Sequence, residues 1–240
     1  SGRWATRGGG ALQVPKVIRR AVVADPGWRF VSADAGQLEP RVLAAVSGDA
    51  RLAAAGVADD LYAALAADSF GGDRPKAKVA LLGAMYGQTG GEAAPALAVL
   101  RREYPDAWEY VEAAARAGEA GDLVRSWLGR TCPPPASGET EGPAARARGR
   151  FTRNFVIQAT AAEWALVLLA GLRTALAGGR AELVFFQHDE VVVHCPVADA
   201  PGVAEAVRRA GAEAGRMLFG DTPVRFPLDL AIVECYADAK

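Results

Sequence analysis

Apolar and polar positions along the chain predict a few strands separated by many helices. Trp28–Ala33 has the aromatic and β-branched content of a strand and is followed directly by an aspartate. Glu182–Phe186 and Val191–His194 predict two strands joined by a tight turn, and Phe226–Cys235 predicts a closing strand. Strand, helices, hairpin, helix and strand in this order indicate an α+β fold. Its antiparallel sheet is divided in the sequence by a helical insertion.

Helical spacing of apolar residues covers most of the chain between these strands. The expected helices are Gln37–Val46, Asp49–Phe70 with a break near Gly56, Arg74–Tyr86 ending at Gly87, Glu92–Arg102, Pro105–Ala117, Arg146–Leu176 and Ala200–Leu218. We also expect an irregular lead-in over Ser1–Pro26, a short strand over Asp122–Leu128 and a surface loop over Cys132–Pro143.

The most apolar stretch, Phe155–Leu172, is long enough for a membrane span but contains Gln158 and Glu163. A carboxylate in the bilayer core is costly. We therefore interpret this stretch as a buried core helix and expect no membrane partner.

Composition narrows the class of protein without identifying it. Of the 240 residues, 51% are apolar and 23% charged, which indicates a globular protein rather than a disordered one. The net charge of -1 means that any site for a polyanion must be a local patch. The three cysteines have neither zinc-site spacing nor an even count, so we expect a reducing, cytoplasmic compartment. The chain begins at Ser1, with its first methionine at Met85, so we expect a piece of a longer protein.

Carboxylates at strand ends are the first candidate chemistry. Asp34 ends one strand, while Asp189 and Glu190 lie in the hairpin turn. If these strands share a sheet, the carboxylates meet at one edge, where a cation or a shared proton must offset their repulsion. Two divalent ions would suit in-line phosphoryl displacement. The alternative is ordinary turn chemistry, with His188 as a structural histidine.

A second candidate is the helix that begins at Arg74. Arg74, Lys78, Leu82 and Tyr86 are four residues apart and follow one helical stripe. Two cations near a helix N-terminus, with an apolar and an aromatic side chain below, suit a nucleoside triphosphate. The alternative is an amphipathic helix with a solvated basic end.

The long helix carries the third candidate. Its N-terminal arginines are Arg146, Arg148, Arg150 and Arg153. Asn154 and Gln158 share a face, where paired amides can hydrogen-bond base edges or sugars. The arginine run alone is equally typical of a solvated face. The sequence has no P-loop and no recognisable serine or cysteine triad.

Taken in order, these segments resemble the polymerase domain of family A DNA polymerases. Asp34–Ala44 (D-A-G-Q-L-E-P-R-V-L-A) is similar to the palm motif D-Y-S-Q-I-E-L-R, and Arg74–Gly87 to the fingers motif R-x-x-x-K with a later Y-G. Asn154–Glu163 resembles N-x-x-x-Q-G-T-A-A-D, and Gln187–Val191 resembles V-H-D-E-L. Ser1–Arg3 with Leu12–Pro15 resembles the lead-in of the same family.

The resemblance implies a right-hand polymerase palm with inserted helical fingers and no thumb. The implied divisions are 1–47 and 146–240 for the palm and 48–145 for the fingers. The implied partners are primer–template DNA, a dNTP and two Mg²⁺ ions, for which Mn²⁺ can substitute. The thumb, and an exonuclease domain where one exists, would come from a preceding part of the chain. The implied location is the bacterial nucleoid.

Residue roles follow from the matched positions. The implied catalytic residues are Asp34, Asp189, Glu190 and Lys78, with Asp34, Asp189 and the Ala35 carbonyl as metal ligands. The implied nucleotide-binding residues are Arg74, Lys78, Leu82, Tyr86, Gln37, Tyr62 and Glu39, with Glu39 as the gate against ribose. The implied DNA-binding residues are Arg3, Arg41, Asn154, Gln158 and His188.

Two other functions remain open at this stage. A catalytically degenerate module would bind DNA without extending a primer, and a departure such as Leu82 in place of an aromatic residue is compatible with it. A two-metal nuclease would use the same carboxylates but would lack the triphosphate-binding helix. The sequence favours a DNA-directed DNA polymerase of replication or repair over both.

Overall fold

The computed structural model describes residues 1–3, 14–88 and 93–239. The chain divides into two compact units. The helical unit comprises Glu39–Glu163 with Ser1 and Asp221–Arg225, and the sheet unit comprises Gly2–Leu38, Trp164–Gly220 and Phe226–Lys240. The subdomain boundaries at 47/48 and 145/146 remain a prediction, because these units are compact bodies rather than functional subdomains.

Helices account for most of the secondary structure. They are α1 Leu38–Val46, α2 Ala50–Ala55, α3 Leu61–Ser69, α4 Arg74–Tyr86, α5 Ala94–Glu103, α6 Pro105–Ala120, α7 Gly142–Leu176 and α8 Ala200–Phe219. The strands are β1 Trp28–Ala35, β2 Glu182–Gln187, β3 Glu190–Pro196 and β4 Leu228–Val233, and short 3-10 helices cover Lys16–Ala21 and Tyr236–Ala239.

The predicted α+β class is confirmed, with a helical region between the first strand and the hairpin. Two local predictions are wrong. Asp122–Leu128 is not a strand: only an isolated bridge joins Arg125 to Thr131. The lead-in contains the 3-10 helix from Lys16, while residues 4–13, including part of the lead-in motif, lie outside the described residues.

Four antiparallel strands form the sheet in the order β2-β3-β1-β4. The central strand β1 pairs with β3 on one side and with β4 on the other, so strands distant in sequence become neighbours. This arrangement places the aspartate at the end of β1 beside residues from both the hairpin and the closing strand.

The two faces of β1 have different roles. Val31, Ala33 and Ala35 are buried on one face. Helix α8 packs closely on this face at Gly211. A Cβ added there would lie only 2.8 Å from the side chain of Leu228, which pairs with Ala35 across the sheet. Ser32 and Asp34 project to the opposite face, since successive side chains of a strand alternate between faces. The sheet therefore has a core face and a second face on which polar groups are gathered.

The helical unit is built from short helices with clear stop signals. Asp49, Asp60 and Asp73 cap α2, α3 and α4, and each accepts a hydrogen bond from a backbone N–H three residues later. Gly87 ends α4 with φ 71°, a left-handed conformation that glycine adopts without strain. These caps fix the ends of the helix that carries the candidate triphosphate-binding residues.

The long helix α7 is long and apolar enough to span a membrane by length and composition alone, with a mean hydropathy of 1.7 in its most apolar window. Within that window, 72% of the residues are buried inside the protein. Trp164, fully buried, stacks on Phe226 at 5.6 Å. The helix therefore has the environment of a core helix.

Candidate active site

Three carboxylates lie in one row across the sheet. Asp34 of β1 is directly opposite Glu190 of β3 on one side and Asp229 of β4 on the other. Directly opposite residues of antiparallel strands project to the same face, so all three share the face away from α8. Glu190 is buried, and its Oε1 accepts a hydrogen bond from the Ser32 hydroxyl at 3.1 Å.

The hairpin turn brings Asp189 to the same end of the sheet. Gln187 pairs with the first residue of β3, which leaves His188 and Asp189 as a two-residue turn. His188 has φ 56°, in the left-handed region that such turns require. The Ala35 N–H donates to the Asp189 carbonyl at 3.0 Å and so fixes the turn against the residue after Asp34. The expected convergence of Asp34 and the hairpin carboxylates is present.

The donor set of this region fits a hard divalent cation. Within residues 1–3, 14–88 and 93–239, no group of three or more His, Cys, Asp or Glu side chains is arranged to hold a metal ion. Mg²⁺ does not need such a group, because it keeps several waters and takes one or two carboxylates together with substrate phosphates. Strand pairing and the Ala35 to Asp189 hydrogen bond bring Asp34 and Asp189, two carboxylate-bearing residues, to the same end of the sheet.

Helix α4 presents two cations at its N-terminal end. Arg74 and Lys78 are both exposed, and Asp73 caps the helix by accepting from the Lys76 N–H at 3.0 Å. Arg74 Nε donates to Asp60 Oδ2 at 2.7 Å. Leu82 is half-buried further along the same helix. The stripe predicted from the sequence is therefore present on the helical unit.

Tyr62 lies beneath these cations rather than beside them. Its side chain is 5% exposed, and its ring centroid is 5.6 Å from the Arg74 guanidinium carbon and 6.0 Å from Lys78 Nζ. Burial, followed by the neighbouring carboxylate of Glu39, raises the pKa of Tyr62 to about 12. The phenol is therefore neutral at physiological pH and offers an aromatic face to both cations.

The predicted gate residue has a defined partner. The Tyr86 hydroxyl donates to Glu39 Oε2 at 2.5 Å, and Tyr86 is 38% exposed at the C-terminal end of α4. A charge-assisted bond of this kind holds the carboxylate in one position. The hydrogen-bonded pair of Glu39 and Tyr86 therefore joins the first turn of α1 to the last turn of α4.

The structure corrects the prediction for Arg41. This side chain is fully buried, so it cannot contact DNA as the resemblance implied. Its Nη1 donates to the carbonyls of Gly56 and Arg225, and its Nη2 donates to those of Ala58 and Asp59. A buried guanidinium is tolerated when backbone carbonyls satisfy it in this way. Arg41 therefore anchors the loop before α3.

The remaining predicted contacts with DNA and nucleotide are half-buried. Asn154 and Gln158 lie on the first part of α7, and the Nδ2 of Asn154 is buried with no hydrogen-bond partner among the described residues. Gln37 has φ 60°, and Arg3 and Gln37 both belong to the sheet unit. The DNA-binding role of Arg3 and the nucleotide-binding role of Gln37 remain predictions.

The arginine run on α7 is not a uniform solvated face. Arg148 is buried and donates to the Pro133 carbonyl at 2.5 Å, while Arg153 is buried and donates to the Ala84 carbonyl at 2.9 Å. Arg146 and Arg150 are exposed and line a cavity of about 740 Å³ in the helical unit. Two of the four arginines therefore stabilise the unit from inside.

Sequence reasoning missed two acidic residues, one in each compact unit. Asp229 was overlooked although an acidic residue within the apolar run of a closing strand is a visible signal. Asp60 was also missed, although an aspartate before an apolar helix is a strong N-cap signal. The tertiary structure adds their partners: Asp229 lies opposite Asp34, and Asp60 accepts a hydrogen bond from Arg74.

Comparison with known proteins places the chain in a family. A family model described as DNA polymerase family A matches residues 12–232. The chain belongs to this family. The chain is 32% identical to DNA polymerase I of Chloroflexus aurantiacus over 217 residues, which are 80% of this chain and 22% of that protein. It is 30% identical to DNA polymerase I of Pseudomonas aeruginosa, over 80% of this chain and 23% of that protein.

A solved polymerase-domain structure has the same fold. It is the POL domain of Pol1 from M. smegmatis in complex with DNA primer–template and dNTP, with a TM-score of 0.79 and 21% identity. The match covers 95% of this chain and 44% of that one. The chain spans about a quarter of the length of the curated family A relatives that it matches.

Proposed function

We propose that this family A chain provides the palm and fingers of a DNA-directed DNA polymerase. In the reaction, the 3′-hydroxyl of a primer attacks the α-phosphate of a dNTP, and pyrophosphate leaves. The observation that carries the proposal is the position of Asp34, Asp189 and Glu190 at one end of the sheet, fixed by strand pairing and by the Ala35 to Asp189 hydrogen bond.

Asp34 and Asp189 would hold two Mg²⁺ ions, with the Ala35 carbonyl as a further ligand. When bound, such ions lower the pKa of an attacking hydroxyl and stabilise the charge on the leaving group. Glu190 would keep the site negative while its Oε1 stays engaged by Ser32. Bound cations would offset the repulsion between neighbouring carboxylates, which supports a cation-dependent role.

Arg74 and Lys78 would bind the triphosphate from the N-terminal part of α4. Both are exposed cations on a helix whose first turn also offers backbone N–H groups. Glu39, held by Tyr86, would occupy the space that a ribose 2′-hydroxyl needs. Leu82 would contact the nascent base pair without the flat face of an aromatic residue.

Asn154 and Gln158 would follow the minor groove of the primer–template. The buried Nδ2 of Asn154 has no acceptor among the described residues, and a base or sugar oxygen would supply one. His188, at the tip of the hairpin, would contact the primer terminus. These contacts position the DNA, while template pairing provides most of the sequence specificity.

Primer extension with Mg²⁺ and dNTPs, with DNA binding measured in parallel, tests this function. Template-directed extension is the expected result. Binding without extension would instead support a degenerate DNA-binding module, and degradation of DNA without dNTPs would support a two-metal nuclease. Extension that persists in excess EDTA would contradict the metal assignment.

A further inference from the structure

The ion pair between Asp60 and Arg74 joins two helices at the candidate triphosphate-binding end of α4. Arg74 Nε donates to Asp60 Oδ2 at 2.7 Å, and both side chains are partly exposed, 47% and 40% respectively. This hydrogen bond engages only the Nε of the guanidinium. Among the described residues, no hydrogen bond or ion pair engages the two terminal nitrogens of Arg74. The edge formed by Nη1 and Nη2, which can bind two phosphate oxygens at once, is therefore available.

Asp60 is itself held in place from two directions. Its Oδ1 accepts the N–H of Ala63 at 3.1 Å as the N-cap of α3. The two preceding carbonyls, of Ala58 and Asp59, accept hydrogen bonds from the buried guanidinium of Arg41 at 3.0 and 2.6 Å. A carboxylate on such a fixed backbone can orient a flexible partner.

The Arg74 guanidinium also has an aromatic neighbour. The Tyr62 ring lies 5.6 Å from its central carbon and is itself buried in the helical unit. The carboxylate therefore fixes one edge and the aromatic ring lies against the group. An arginine side chain has many rotamers, and fixing it before binding removes an entropic cost that the ligand would otherwise bear.

We propose that Asp60 is a positioning residue for the incoming nucleotide. By binding Nε of Arg74, it presents the two terminal nitrogens to the triphosphate. This inference rests on the proposed polymerase function and deepens it, because it assigns to the same site a residue that acts through Arg74 rather than on the nucleotide.

A simple charge effect makes the opposite prediction. Asp60 is an anion near a site for an anionic ligand, so its removal should tighten nucleotide binding if only net charge matters. Positioning predicts weaker binding instead. The sign of the change therefore separates the two effects.

The decisive variant is Asp60→Asn, which keeps an oxygen for the Ala63 N–H but loses the charge that holds Arg74. We expect the KM for dNTP to rise about threefold to fivefold, as for the loss of an exposed ion pair, with kcat unchanged. The matched control is Asp73→Asn. Asp73 caps α4 in the same way, directly precedes Arg74 in sequence and has no described contact with its guanidinium. We expect Asp73→Asn to leave the KM unchanged or to lower it.

A double-mutant cycle with Arg74→Lys shows whether Asp60 acts through Arg74. Lysine has no Nε edge, so Asp60→Asn should have little further effect on the KM in that background. Equal effects in both backgrounds would overturn the proposal, as would an unchanged or lower KM for Asp60→Asn alone. Thermal unfolding of each variant identifies any change that reflects lost stability rather than lost positioning.

Equilibrium binding of a dNTP to the protein keeps this test separate from that of the proposed function. If the wild-type protein binds dNTP but does not extend a primer, the polymerase proposal fails. The Kd for dNTP still reports on Asp60 in that case. Weaker dNTP binding by Asp60→Asn, but not by Asp73→Asn, supports the inference, and equal binding by both variants contradicts it.

Discussion

The nucleotide-binding candidates of the helical unit and the carboxylate row of the sheet unit arrange their charged groups in opposite ways. In the helical unit, acidic and basic or polar groups are matched: Arg74 with Asp60, and Tyr86 with Glu39. In the sheet unit, strand register places like charges side by side, with Asp34 between Glu190 and Asp229. Matched pairs orient side chains at little cost, whereas neighbouring carboxylates repel one another and can be stabilised by a cation.

This difference suits the proposed roles, in which paired groups of the helical unit position nucleotide-binding side chains and the carboxylate row of the sheet unit holds metal ions. The helical unit also buries Arg41 and Arg153, and each guanidinium donates to backbone carbonyls. Groups of this kind keep the unit folded and its surface cations in place. The sheet unit instead keeps carboxylates together at one end, which is the arrangement that a divalent metal can use.

The largest expected effect is on catalysis in the sheet unit. Asp34→Asn or Asp189→Asn should reduce primer extension by at least about 100-fold, because each removes a charge from the metal site without changing side-chain volume much. Steady-state extension, with duplex affinity measured in parallel, checks this. Near wild-type extension by either variant would contradict the two-metal assignment. The carboxylate row of the sheet unit would then have no catalytic role.

The next effect concerns the buried cation of the helical unit. Arg41→Met should lower the free energy of unfolding by about 3 kcal/mol, because four backbone carbonyls lose a charged donor. Denaturant unfolding measures this. If Arg41 contacted DNA instead, the variant would keep its stability and show a smaller salt dependence of DNA affinity.

A smaller effect is expected at the gate. Glu39→Ala should raise ribonucleotide use relative to deoxynucleotide use by about tenfold, because it removes the volume that excludes the 2′-hydroxyl. Tyr86→Phe should give a weaker change in the same direction, since the carboxylate stays but loses its hydroxyl donor. The ratio of kcat/KM for dNTP and rNTP is the measurement. An unchanged ratio in Glu39→Ala would leave Glu39 as a helix-terminal charge only.

The smallest effect tests the repulsion within the carboxylate row. With Mg²⁺ chelated, Asp229→Asn should raise the free energy of unfolding by about 0.2–1 kcal/mol, because Asp34 then faces a neutral partner. Asp34→Asn should do the same, but it alone should also abolish extension. Lower stability in both variants would show that the row is not strained and would remove the contrast between the units.

Part of the site was readable from sequence because it depends on local patterns. The strand before Asp34, the hairpin around Asp189 and the stripe from Arg74 to Tyr86 each lie within one or two elements. Alternation, turn chemistry and helical spacing determine such features directly. The helix boundaries from Asp49 to Gly87 follow for the same reason, since caps and glycines mark them.

Other features depend on neighbours that are distant in sequence. Arg41 reads as a surface arginine, and only the packing of the loop before α3 and the segment at Arg225 buries it. Asp122–Leu128 reads as a strand, but buried Glu163 instead accepts the Leu128 N–H at 3.0 Å and holds the end of the segment in a turn. A tertiary hydrogen bond to a buried carboxylate overrides local strand propensity.

The sequence by itself determined the α+β class, the order of the elements and the family, because patterns and motifs are carried by neighbouring residues. Only the tertiary structure decided the partners: Asp229 beside Asp34, Asp60 on Arg74, and Arg41 inside the helical unit. Strand register and helix packing join residues that are distant in sequence, as Asp34 and Asp229 are. No local pattern encodes such a pairing, because it results from how the whole core fills its space.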